Sequence, residues 1–153
     1  MRTRTGTWIE TKVKYQKTQE DGTEKMVTEP YVVDALSFTE AENSIIEEMS
    51  VYVSGEFQVK AVKKAQYSEV FFSDVDDDDK WYKAKLQFIT IYEKTEKEKR
   101  SNVTYLVQAK SLARALRYID EVMGKTMIDY DIVGINETKI VDVFEHKSEK
   151  EKE

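Results

Sequence analysis

Lys12 and Lys14 lie four and six residues after Trp8, and Lys83 and Lys85 two and four residues after Trp81, all at equal parity. On an extended strand, residues of equal parity share a face. Each set therefore puts an aromatic π surface beside ammonium groups. Single-stranded nucleic acid needs that combination, because bases stack on the ring for about 1–3 kcal/mol each and phosphates meet the cations. Arg114 and Arg117, on a helical segment that also carries Lys110, add to the second set. Trp81, Lys83, Lys85, Arg114 and Arg117 are thus the leading candidate contacts, with Trp8, Lys12 and Lys14 behind them. The net charge of −6 and the pI of about 5.1 weigh against this, since nucleic-acid modules are usually basic on the binding face. Two plainer readings compete. Lysine stems could lie over the tryptophans on a solvated sheet face, or the rings could be buried between repeats or in a dimer.

The other chemistry-bearing residues are sparse. The one histidine, His146, sits near the tail and cannot build a hydrolase triad or a multi-histidine zinc site. With no cysteine, a thiolate metal site and a thiol nucleophile are excluded. The five glycines are scattered, so no phosphate-binding Gly loop is present. Asp76, Asp77, Asp78 and Asp79 could attract a hard cation, but they lack the alternating spacing and turn glycine of a calcium loop. The run reads as a solvated linker. No catalytic residue, metal or cofactor is expected, and a metal-dependent hydrolase ranks last. Tyr52, Tyr67, Tyr92, Tyr118 and Tyr130 form no motif and read as packing residues.

The elements that must position these residues come as two copies of one ββαββ unit. The strand 8–15 aligns with 81–88, and 31–37 with 105–111, at an offset of 73 or 74. Phe38, Ala41, Ile45 and Met49 fall on Leu112, Ala115, Ile119 and Met123, and Val70-Phe71 meets Val143-Phe144. Each opening strand alternates apolar and polar residues, the period of a half-buried sheet. Asp21-Gly22 marks a hairpin turn, and the charged stretch 94–101 holds the corresponding place. Pro30, which has no N–H, belongs at an edge or bulge. Ser37-Phe38-Thr39-Glu40 is a capping box that opens a helix with apolar residues at 38, 41, 45 and 49. Ser111 caps the second helix without the reciprocal acid, and Gly124 stops it. Strands at 57–62 with 67–72, and 130–135 with 139–144, close the units.

The fold class expected is α+β: about eight antiparallel strands and two helices in pseudo-twofold relation. The layout is a single domain over 1–153, with repeat 1 at 7–73, an acidic linker at 74–80, repeat 2 at 81–145 and a charged tail at 146–153. The copies differ in charge. The first helix carries Glu40, Glu42, Glu47 and Glu48, where the second carries Lys110, Arg114 and Arg117. No apolar run approaches the ~20 residues that span a bilayer, and no h-region follows Arg2 and Arg4, so neither membrane insertion nor a secretory signal is expected.

The Trp strands, the segment 31–42, Ser54-Gly55-Glu56-Phe57 and Tyr67 to Ser73 resemble the domain-of-unknown-function family 4494 of gut Bacteroidales and their phages or mobile elements. That resemblance implies a bacterial cytoplasmic or virion-associated setting and carries over no activity and no residue roles. The leading functional expectation is a non-enzymatic binding or interaction protein that contacts a protein partner or itself through its sheets. Pseudo-symmetry would favour isologous pairing.

Overall fold

The computed structural model describes residues 1–146. Among them are nine strands and two helices in an α+β arrangement: β1 (Arg2–Arg4), β2 (Trp8–Thr18), β3 (Glu24–Asp34), α1 (Phe38–Tyr52), β4 (Phe57–Lys64), β5 (Glu69–Phe72), β6 (Lys80–Ile91), β7 (Glu98–Ala109), α2 (Leu112–Met123), β8 (Asp129–Glu137) and β9 (Asp142–Phe144). Two compact units result. One holds Gly6–Ala65 with residues 139–146, and the other holds Met1–Thr5 with Gln66–Thr138.

The first unit is built on the β2–β3 hairpin. Its turn is fixed by Gly22 at φ +86°, a conformation that costs glycine little, and by Asp21 accepting from the backbone N–H and the hydroxyl of Thr23 at 3.0 and 2.6 Å. β4 pairs antiparallel with the other side of β2, and the sheet order is β4-β2-β3-β9. Ile9, Val13, Tyr31 and Val33 on one face of this sheet receive Ala41, Ile45 and Met49 of α1. Ser37 caps α1 by accepting from Glu40 N–H at 3.1 Å. The Glu40 carboxylate reaches back to the N–H of Leu36 at 3.0 Å, one residue before the cap. Phe38 departs from the expected stripe and is 56% exposed. Helical Cα–Cβ bonds tilt toward the N-terminus, so a side chain on the first helical residue projects past the helix end.

The second unit follows the same plan on the β6–β7 hairpin, whose turn sets Glu96 at φ +53°. Its sheet order is β1-β5-β7-β6-β8. Tyr82, Ala84, Leu86, Tyr105 and Val107 pack against Ala115, Tyr118, Ile119 and Met123 of α2. Trp81 stands opposite Gln108 as Trp8 stands opposite Asp34, and the outer strand slips register after Lys85 here and after Lys12 there. Gly124 ends α2 as expected, though at a helical φ of −64°. A Cβ there would lie 2.9 Å from the carbonyl of Asp120, so close approach rather than a left-handed turn favours glycine.

The closing strands depart from expectation. Rather than pairing with β4, β5 enters the second unit and runs parallel to β7, with Val70 opposite Leu106. Rather than pairing with β8, β9 enters the first unit and runs parallel to β3, with Val32 opposite Val143. Two pairings are therefore parallel where only antiparallel ones were expected. The reason is burial: Val70, Phe71 and Phe72 are all buried, and a strand apolar on both faces belongs in a sheet interior. β5 finds that interior between β7 and β1, the ninth strand. Pro30, expected at an edge or bulge, lies within β3 just ahead of its pairing with β9. Its carbonyl accepts from the Val141 N–H at 2.9 Å, so its backbone groups point away from β2 and the missing N–H costs no bond to that strand.

Replacing Ile45 or Ile119 with Ala, each fully buried, is expected to cost about 2–5 kcal/mol in urea-unfolding stability. Phe38→Ala should change stability by no more than about 0.5 kcal/mol.

Candidate functional site

The tryptophans that the sequence offers as stacking platforms are interior. Trp8 and Trp81 are each 1% exposed, on the face of β2 and β6 opposite the helices. Trp81 meets Phe72 edge-on at 5.8 Å, and the guanidinium of Arg2 lies 4.4 Å from the centroid of the Phe72 ring. A ring so enclosed offers no face to a base. Lys12, Lys83 and Lys85 remain exposed and Lys14 is half-buried. Arg117 is exposed, 3.7 Å from Glu121 one turn on. The structure thus leaves the lysines of both sets at the surface and withdraws their aromatic partners.

Arg114 is withdrawn for a different reason, and the reason corrects the reading of the acidic run. Asp74 and Asp77 are exposed, but the side chain of Asp78 is fully buried. One carboxylate oxygen of Asp78 accepts from the Ser73 and Tyr118 hydroxyls, each at 2.5 Å. The other accepts from the Lys110 backbone N–H at 2.7 Å and the Arg114 guanidinium at 3.2 Å. A buried carboxylate survives when its lone pairs are filled and a cation is at hand. Burial pushes its pKa up, but these four bonds outweigh it and hold Asp78 below the ordinary carboxylate value. Burial, and then the bond to Asp78, push the Tyr118 hydroxyl up.

Asp78 also completes a cap. Glu40 satisfies the N–H of Leu36 in α1. At the corresponding place before α2 the N–H belongs to Lys110, but the third helical residue is Arg114, not an acid. Asp78 supplies the missing carboxylate from outside the helix and pairs with that arginine. The missing acid after Ser111 was the visible sign that something else must fill the position.

His146, expected in a frayed tail, is anchored in the first unit with its Nδ1 2.8 Å from a Glu40 carboxylate oxygen. The rest of the tail lies outside the described residues.

Among the described residues, the outer sides of β4 and β8 have no pairing strand. β4 carries Lys60, Lys63 and Lys64 and no acid, whereas β8 carries Asp129, Asp131 and Glu137 and no base. Part of this charge is met locally, by Glu10 at 3.3 Å from Lys63, Arg100 at 2.7 Å from Asp131 and Lys80 at 3.6 Å from Glu137. The edge charges were visible in the sequence, but which strands would be edges was not.

A family model described as Domain of unknown function (DUF4494) matches residues 7–146. The chain belongs to that family. The match runs from just before β2 through β9, so the core of both DUF4494 sheets lies inside it and β1 lies outside. No curated protein and no solved structure matches the chain.

Asp78→Ala is expected to cost about 3–5 kcal/mol at neutral pH by leaving Arg114 and the Lys110 N–H without their acceptor, while Asp77→Ala should stay within about 0.5 kcal/mol. Because the folded pKa of Asp78 lies below 3.8, the unfolded chain takes up its proton first. The stability Asp78 contributes is therefore complete above that ordinary value and is lost as pH falls through the folded one. Chemical denaturation of Asp78→Asn across acid pH should show a shallower loss than the parent. Trp81→Ala should lower stability by about 3–5 kcal/mol, as expected of a buried ring.

Proposed function

We propose that this protein is a non-enzymatic binding module that contacts a protein partner or a second copy of itself through its sheets, in a bacterial cytoplasm or in association with a phage or mobile element. The observation that carries the reading is the pair of long terminal strands, β4 basic and β8 acidic, of nearly equal length; the opposite ends of the two sheets are the three-residue β1 and β9. An unpaired edge presents a row of backbone donors and acceptors that another strand can take up. Like charge opposes β4 against β4 and β8 against β8, and opposite charge favours β4 against β8. The bulge in each outer strand narrows the choice further, since bulged edges pair poorly with arbitrary strands. The association so favoured is head-to-tail between copies rather than isologous, and it extends into rings or open chains.

The acidic run supports this reading over a metal-dependent hydrolase. Asp78 is committed to Ser73, Tyr118, Lys110 and Arg114, so it does not join Asp77 around one ion. Single-stranded nucleic acid keeps exposed cations in its favour, Lys83 and Lys85 on one face of β6 with Lys12 and Arg117 elsewhere, but no open aromatic platform among its candidate tryptophans.

Sedimentation velocity over a concentration series tests the proposal. Species larger than one chain should form at low salt and weaken at high salt. Lys60→Glu with Lys64→Glu should abolish them, and a charge reversal of Asp129 and Asp131 to Lys should restore them when mixed with that variant. Sedimentation as a single chain at every concentration, with no strand-adding partner recovered, would sink the reading. A labelled oligonucleotide that binds with strong salt dependence and is released by Lys83→Glu would favour nucleic acid instead.

A further inference from the structure

The first unit contains a cleft that neither the sheet edges nor the family match accounts for. It lies between the outer half of the β2–β3 hairpin, the end of α1 and β9, and has a volume of about 200 Å³. Its walls are largely aromatic: the buried Tyr31 stacks on Phe144 at 5.9 Å with the planes 15° apart, and Tyr15 and the largely exposed Tyr52 line it together with Met49, Val141 and Lys17. Two carboxylates, Glu29 and Asp142, face the same space. Glu29 is engaged, accepting a hydrogen bond from the Tyr15 hydroxyl and lying 3.6 Å from the half-exposed ammonium of Lys17. Asp142 is not matched in this way. Among the described residues, the one hydrogen bond its carboxylate accepts comes from the N–H of its own neighbour Val143, at 2.8 Å.

Aromatic faces attract cations through their quadrupole, most strongly where water is excluded. A carboxylate beside such faces adds a charge that a cation can neutralise. From the aromatic walls, Asp142 and the ammonium already seated against Glu29, we infer that this cleft binds an alkylammonium ion, its carbon chain against Phe144 and the exposed Tyr52 and its charge at Asp142. The volume, below that of a drug-sized pocket, limits the guest to a few carbons. The electrostatics agree. Burial, followed by the repulsion of Glu48, pushes the Asp142 pKa above its ordinary value. Burial, followed by Glu29, pushes the Tyr15 hydroxyl up to about 12. Both groups report a negative, poorly hydrated site that a cation would relieve. The ammonium could come from a free amine or from a lysine side chain of a partner, and the two share one chemistry.

The test is an NMR titration of the full chain with n-butylammonium, with n-butanol as the neutral control. Saturable shifts at Tyr31, Asp142 and Phe144 are expected with the amine and not with the alcohol. Asp142→Asn should weaken binding about tenfold or more, as for loss of a charge-assisted contact. Lys17→Ala should tighten it by removing the resident competitor at Glu29. Phe144→Leu, which keeps the apolar volume, should weaken it by losing the π face. Amide shifts away from the cleft check that each variant remains folded. Equal binding of butanol, unchanged affinity in Asp142→Asn, or no saturable shift with the amine would overturn the inference. A parallel titration with spermidine and with a lysine-containing peptide identifies the source, and tighter binding of either upholds the ammonium site. Sedimentation on the same samples keeps this result separate from edge-to-edge association, which does not depend on Asp142.

Discussion

The arrangement depends most on where two short strands go. β5, four residues with both faces apolar, cannot rest at the end of a sheet and is held in the interior between β1 and β7. β9 runs beside β3 as β5 runs beside β7, but ends its sheet. Each sheet is therefore completed by a strand that follows the other hairpin in the chain. Parallel pairing is the consequence, because a strand joining an existing sheet at this side meets β7 or β3 running in its own direction. The same choice leaves β4 and β8 as outer strands, and the charge on those two edges acquires meaning only because of it.

A second constraint is the start of each helix. Both helices open with a serine cap and both need a carboxylate for the N–H two residues before the first helical residue. In α1 the helix carries its own, Glu40. In α2 an arginine occupies that place, and the segment between β5 and β6 turns Asp78 inward to meet both the arginine and the orphan N–H. The acidic run is thus divided, with exposed carboxylates at Asp74 and Asp77 and a buried, saturated one at Asp78. One residue of what looks like a solvated linker is a buried side chain that accepts four hydrogen bonds.

These two constraints shape the functional reading. The residues most suggestive of nucleic-acid chemistry, Trp8, Trp81 and Arg114, are consumed by packing and capping. What stays open is charge on sheet edges and a small aromatic and acidic cleft beside β9. As proposed, they would suit different partners, a strand in one case and an organic cation in the other.

Local pattern was enough to establish the two hairpins, both helices, the Asp21-Gly22 turn, the capping box at Ser37 and the α+β class, because alternation, helical spacing and turn chemistry are set by neighbours in the chain. It also exposed the missing acid after Ser111. Tertiary structure alone decided the partners of β5 and β9, the burial of Trp8, Trp81 and Asp78, and the meeting of Asp142 with Tyr31 and Phe144. Period-2 alternation says that a segment is extended and which residues share a face. It does not say which strand lies alongside or what covers that face, because those depend on contacts between residues far apart in sequence. The tryptophan and lysine parity that drew attention first was therefore a true statement about a shared face, and only the fold determined that half of that face is closed to solvent.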